Sequence, residues 1–199
     1  MNTANASMNG RNNLYPIFLK LEEMRLLIIG GGSVALEKLN SVLQNSPQTR
    51  IEIVAPFINE GIKEISRSQS NVQFSERRVE SFDLDVAQII IVAVNDNAVS
   101  EWVHLQARVK GKLVNIADTP DLCDFYLGAI VNKGHLKIAI STNGKSPTIA
   151  KRLKEILSEV VPNMDNLLQS LHLIRNKLKG NLSEKVRILN KITEKIIVD

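Results

Sequence analysis

The residues with the clearest chemical potential are Gly30-Gly31-Gly32-Ser33-Val34-Ala35, which fit the spacing G-x-G-x-x-A. In that spacing the first glycine permits a tight turn, the second lets backbone approach a pyrophosphate, and the last small residue lets a helix pack closely on a strand. The helix that follows offers unpaired N–H groups and a positive dipole end to phosphates. Gly30, Gly31, Gly32, Ser33 and Val34 are therefore candidate cofactor-binding residues, against the alternative of a tight turn with no ligand. The second strand of such a domain usually ends in an acid that reads a ribose 2′-hydroxyl. Here Val54-Ala55-Pro56-Phe57 stands instead, with no arginine for a 2′-phosphate, which leaves backbone at Pro56 and Phe57 to meet the adenosine end. These residues alone leave NAD and NADP open. Asn95-Asp96-Asn97 follows a further apolar run and reads either as a helix cap or, at Asn95, as a ligand contact.

Positioning that turn requires a strand before it and a helix after it, and the flanking text supplies both. Apolar runs at 25–29, 51–54, 72–74, 88–94 and 112–116 are short and rich in β-branched residues, the signature of strands buried on both faces. Between them, 34–43, 59–66 and 98–109 carry apolar residues at helical spacing. Alternating strands and helices predict an α/β, Rossmann-like domain with a parallel sheet, over 14–117. After Asp118 the pattern changes. Residues 125–141 read as two strands joined by a turn at Asn132-Lys133-Gly134, with no helix between them. Antiparallel strands outside the main sheet expose edges, so 118–145 is expected to form a small dimerisation region, and the protein a homodimer. Ser146-Pro147 opens a helix, Pro162 opens a second that Gly180 ends, and a third runs from Ser183 with Ile196 and Ile197 on its apolar side. Residues 146–199 thus form a C-terminal helical domain.

The 199 residues are 44% hydrophobic and 23% charged, which excludes a disordered or collagen-like chain. No apolar run approaches the roughly 20 residues of a membrane span. Residues 1–13 lack the apolar core of a signal peptide and read as a disordered lead-in. Cys123 is the single cysteine, so no internal disulfide forms, in keeping with a cytoplasmic protein. It reads as a small half-buried residue rather than a nucleophile. His104, His135 and His172 share no metal-ligand spacing with it or with one another, so no resident metal is expected. The net charge of +4 is unevenly spread: residues 145–199 hold 11 basic and 6 acidic side chains, for +5, and the first 144 residues sum to −1. A basic tail suggests a polyanionic partner or a solvated helical face. Nucleic acid is disfavoured as that partner, because residues 145–199 contain no aromatic side chain.

The segment LYPIFLKLEEMRLLIIGGGSVALEKL resembles the opening of the precorrin-2 dehydrogenases, the siroheme-forming enzymes. The resemblance continues through Val92–Asp96, Val114–Asp118 and Ile138–Pro147, and covers the chain from about Leu14 to the C-terminal helices. It implies a stand-alone NAD-dependent oxidation of precorrin-2 to sirohydrochlorin, in some members followed by Fe2+ insertion to give siroheme. It also implies a dimer with interleaved central strands, and NAD lying along Gly31 to Val34 and Pro56-Phe57. The acid it carries over is Asp118, as a general base for the proton lost in dehydrogenation; on residues alone Asp118 could equally cap the turn before Thr119-Pro120. A tetrapyrrole substrate edged with carboxylates gives the basic tail a purpose, with Lys145, Lys151 and Arg152 as substrate contacts. Ser141-Thr142 matches a serine pair of the fused enzyme that includes a phosphorylation site, and the bland reading is a strand end leading into the Ser146 cap. From a different class, an NAD-sensing regulatory module would keep the glycine turn without a catalytic acid. It would also need an acidic reader after the second strand, which this sequence lacks.

Overall fold

A computed structural model describes residues 12–194, so the lead-in over 1–11 and the apolar side chains Ile196 and Ile197 lie outside the described residues. The chain divides into two compact units: residues up to Gly128 together with Ser141–Pro147, and residues Ala129–Ile140 together with Thr148 onward.

The first unit alternates strand and helix as the sequence pattern requires. Its order is β1 (Arg25–Ile29), α1 (Ser33–Asn45), β2 (Arg50–Ala55), α2 (Glu60–Ser68), β3 (Val72–Glu76), α3 (Asp83–Val86), β4 (Ile89–Val92), α4 (Asn97–Val109) and β5 (Leu113–Ile116). All five strands are parallel, in spatial order β3-β2-β1-β4-β5. The order reverses between β1 and β4, which creates the crevice where ligands of open α/β sheets bind. Side chains explain why the two central strands read as unbroken apolar runs. Leu26 and Ile28 of β1, with Ile89 and Ile91 of β4, join Ala35, Leu39 and Ile62 of α1 and α2 in one core cluster. Leu27 and Ile29, with Ile90 and Val92, join Leu84, Val103 and Ala107 of α3 and α4 in the other. Alternate residues thus serve opposite faces of one sheet, and both faces are covered by helices.

Electrostatics fix the short α3. The Arg77 guanidinium makes a two-pronged contact with the Asp83 carboxylate, at 2.8 and 2.6 Å, and the Glu80 N–H donates to the same group at 2.8 Å. Burial alone would raise the Asp83 pKa, because its residue is only 3% exposed. The Arg77 hydrogen bonds, the Glu80 N–H and the Arg77 charge outweigh that cost and hold the carboxyl below its usual value. Arg77 also stacks over the Phe82 ring at 4.9 Å.

The second unit has a different grammar. Strands β6 (Ala129–Lys133) and β7 (Leu136–Ile140) pair antiparallel, followed by α5 (Pro147–Val160), α6 (Asp165–Lys177) and α7 (Leu182–Thr193). Two expectations shift. The hairpin turn lies at Gly134-His135, because Asn132 and Lys133 still pair with Lys137 and Leu136 and Gly134 supplies the positive φ. The helix expected from Pro162 begins at Asp165, because the Asn163 side chain accepts a hydrogen bond from the Asp165 N–H at 2.8 Å and closes an Asx turn first. α7 opens on a capping box: the Asn181 side chain accepts from the Glu184 N–H, and the Glu184 carboxylate accepts from the Asn181 N–H.

Candidate active site at the carboxyl edge of the sheet

The chain turns sharply where β1 ends. Gly30 has φ +124°, and a Cβ there would lie 2.2 Å from the Ala93 carbonyl oxygen beyond β4. Only glycine fits that close approach of two strand ends. Gly31 is equally confined: a Cβ would lie 1.9 Å from the Phe57 carbonyl oxygen, and its own carbonyl accepts from the Asn59 N–H at 2.8 Å. The middle glycine therefore locks the turn to the loop after β2, a role the sequence pattern alone does not assign. Gly32 is the N-cap of α1, and a Cβ there would meet nothing within 4 Å. The turn is packed at its first two residues and open at the third.

That asymmetry suits a dinucleotide. No side chain caps α1, so the N–H groups at its start face outward for an anion. Ala35 is fully buried and lets α1 sit close on the sheet. Ser33 and Val34 are exposed on the first turn of α1, while Pro56 and Phe57 are exposed at the end of β2, Phe57 by 66%. A pyrophosphate would rest against Gly32, Ser33 and Val34, with apolar surface at Phe57 for a nucleoside. Asn95 is exposed just beyond β4. The capping in Asn95-Asp96-Asn97 is done by Asp96, whose carboxylate accepts from the Ala98 and Val99 N–H groups at 3.0 and 3.1 Å. Asn95 is thereby left out of the cap.

Asp118 follows β5 on this same edge, in the turn Ile116-Ala117-Asp118-Thr119. The Thr119 N–H donates to the Ile116 carbonyl at 3.4 Å. Asp118 itself has φ +59°, in the left-handed region, and is exposed. Its carboxylate has no hydrogen-bond partner among the described residues, so it caps nothing. An exposed carboxylate on a held turn is free to take a proton from a ligand.

The remaining candidates divide between the units. Lys145 is exposed in the loop 141–146, where the Thr142 hydroxyl donates to the Ser146 carbonyl at 3.1 Å and accepts from the Ser146 N–H at 3.2 Å. Thr142 thus closes the loop before α5. Lys151 and Arg152 are exposed on α5, in the second unit. The three histidines serve the scaffold. His104 Nδ1 bonds the Leu122 carbonyl at 3.0 Å, His172 pairs with Asn176 along α6, and the His135 N–H donates to Asp165 at 2.7 Å. Among the described residues no three His, Cys, Asp or Glu side chains gather as metal ligands. No helix of the described residues is long and apolar enough to cross a membrane.

The fold and its glycine edge define a dinucleotide-binding Rossmann protein. Residues 17–129 match the NAD(P)-binding family model, and residues 133–159 match the model of the central part of sirohaem biosynthesis proteins. The chain is 33% identical over 177 residues to the siroheme synthase of Psychrobacter arcticus, covering 89% of this chain and 31% of that protein. It is 33% identical over 172 residues to the siroheme synthase of Methylococcus capsulatus, covering 86% and 34%. The chain therefore spans about a third of the length of these curated relatives. Among solved structures it is similar to SirC, precorrin-2 dehydrogenase, with a TM-score of 0.72 and 29% identity over 90% of this chain and 89% of that one. The chain belongs to the NAD(P)-binding family whose model it matches over more than half its length, and it shares a short central segment with sirohaem biosynthesis proteins.

Proposed function

We propose that this protein oxidises precorrin-2 to sirohydrochlorin with NAD as the oxidant, and that Asp118 is the general base. The observation that carries the reading is the shared edge: the open glycine turn after β1 and the unpartnered carboxylate after β5 both lie beyond the carboxyl ends of one parallel sheet. Gly30 and Gly31 shape the turn through which Gly32, Ser33 and Val34 hold the pyrophosphate, and Pro56, Phe57 and Asn95 flank the nucleoside ends. Bound NAD supplies a hydride acceptor. Dehydrogenation also releases a proton from the macrocycle, and the Asp118 carboxylate accepts it. Exposed Lys145, Lys151 and Arg152 pair with the carboxylates of the ring.

The protein acts in the cytoplasm as a homodimer joined through β6 and β7, an antiparallel pair that stands apart from the five-stranded sheet. Residues 14–117 form the cofactor domain, 118–145 the dimerisation strands and 146–199 the substrate domain. Iron, where it enters, is a substrate, and the same carboxylate would take up the pyrrole protons it displaces.

The test is an absorbance assay with precorrin-2, NAD and Fe2+ added in turn. Conversion to sirohydrochlorin is expected on adding NAD, and siroheme on adding Fe2+ reveals the second step. Absence of a spectral change with NAD defeats the dehydrogenase reading and favours a sensor. Asp118→Ala is expected to fold and bind NAD while turnover falls by about a hundredfold or more. Unchanged turnover removes Asp118 from the mechanism. A monomeric mass by light scattering at micromolar concentration removes the dimer.

A further inference from the structure

We propose that Cys123 is the positioning residue for Asp118, its thiol tying together the two ends of the left-handed turn that presents the carboxylate; this rests on the assignment of Asp118 made above. The turn is tied to its surroundings by backbone, the Ala117 N–H donating to the Val92 carbonyl at 2.9 Å and the Leu122 N–H to the Thr119 carbonyl at 3.1 Å, but it is only loosely closed on itself. Its two internal hydrogen bonds, Thr119 N–H to the Ile116 carbonyl and the Thr119 hydroxyl to the Ala117 carbonyl, are each 3.4 Å long, beyond the usual range for such bonds. Asp118 at φ +59° sits in the left-handed region, which Asp adopts more readily than most side chains but still at a cost relative to glycine. Left alone, such a turn would relax and carry the carboxylate with it.

The thiol answers both problems at one atom. Cys123 Sγ lies 3.2 Å from the Ile116 nitrogen, 3.2 Å from the Ile116 oxygen and 3.4 Å from the Thr119 oxygen. Ile116 and Thr119 are the first and last residues of the turn. The sulfur accepts the Ile116 N–H, while the S–H is within reach of both carbonyls. Burial pushes the thiol pKa up, the Ile116 N–H opposes that, and the Asp124 charge adds to the rise. Cys123 therefore keeps the proton that makes it a donor.

The cysteine is itself anchored on both sides. His104 on α4 holds the Leu122 carbonyl at 3.0 Å. Asp124 pairs with β5: its N–H donates to the Val114 carbonyl at 2.8 Å, and its carboxylate accepts the Val114 N–H at 3.0 Å. Asn115, buried at the centre of β5, donates to the Phe125 carbonyl at 2.8 Å and approaches Sγ at 3.6 Å. With its neighbours fixed, the sulfur cannot follow a drifting turn, so it sets the turn's place.

Three variants test this: Cys123→Ser, which keeps a donor and an acceptor, and Cys123→Val and Cys123→Ala, which keep neither. Each is measured alone and with Asp118→Ala, reading kcat, KM for precorrin-2, NAD affinity by fluorescence, and amide hydrogen exchange of residues 116–119 without substrate. Loss of the ties is expected to lower kcat about tenfold, since small misplacements of a catalytic group cost that much or more. NAD affinity and KM stay near wild type, exchange over 116–119 accelerates while β1 is unaffected, and Cys123→Ser recovers most of the rate. Combined with Asp118→Ala, the same changes at Cys123 should lower the residual rate no further. The proposal is overturned if Cys123→Val keeps full kcat and slow exchange while Asp118→Ala is inactive. It is equally overturned if the Cys123 effect is undiminished without the carboxylate. A fully active Asp118→Ala is a separate result, read before Cys123 is touched, and it ends the assignment on which the proposal rests.

Discussion

The two units solve burial in opposite ways. In the first, β1 and β4 place every residue from Leu26 to Ile29 and from Ile89 to Val92 at 2% exposure or less, under helices on both sides. In the second, α6 and α7 have no buried residue, and only Val131 and Ala150 are buried among its described hydrophobic residues. Large apolar side chains stay on its surface, among them Ile149, Ile156, Leu173 and Leu182. The sheet unit closes its own core, whereas the hairpin and helices carry amphipathic faces that their own contacts leave uncovered. A cofactor that needs a rigid turn is thus matched to the unit with the densest packing.

That comparison can be broken by mutation. Ile90→Ala removes a fully buried side chain and is expected to cost about 3 kcal/mol in denaturant unfolding. Leu182→Ala, on a side chain 68% exposed, is expected to cost under about 0.5 kcal/mol. Equal losses would mean that the second unit is as tightly packed as the first.

A smaller effect tests the electrostatic side of the sheet unit. Asp83→Asn leaves Arg77 without its counter-charge and is expected to cost about 2 kcal/mol at pH 7. The folded carboxyl titrates below its unfolded value, so its contribution is complete above about pH 4 and is lost as acid protonates it. Urea midpoints taken downward from pH 7 should therefore fall more steeply for the native chain than for Asp83→Asn.

At the active-site turn the expected change has the opposite sign. Asp118→Gly relieves a left-handed backbone and is expected to raise stability by up to about 1 kcal/mol while abolishing turnover. A loss of stability would mean that the Asp118 side chain holds the turn rather than being held by it.

The sheet was legible in the sequence because burial on both faces leaves an unbroken apolar run. RLLII is strand throughout, and only the central IIIV of QIIIVAV is strand. The glycine turn was legible in its spacing, although the packing of Gly31 against Phe57 depends on a loop 26 residues away. The start of α6 was misplaced because proline at a first helical turn competes with Asn163, whose side chain captures the Asp165 N–H. The segment Thr119 to Phe125 was opaque for another reason. Its residues act singly, through Cys123, Asp124 and the partner His104, and such one-to-one contacts have no period to read. The Arg77–Asp83 pair was missed on the same ground, since two charges six residues apart carry no sign of the burial that joins them.

The outer flank of β5 has a consequence for the topology as a whole. A sixth parallel strand would have to dock on the N–H groups of Val114 and Ile116. Asp124 and Cys123 have already taken them. The sheet is thus terminated by side chains rather than by running out of sequence. A chain that cannot extend the sheet is released from it, and the hairpin and helices begin only a few residues later.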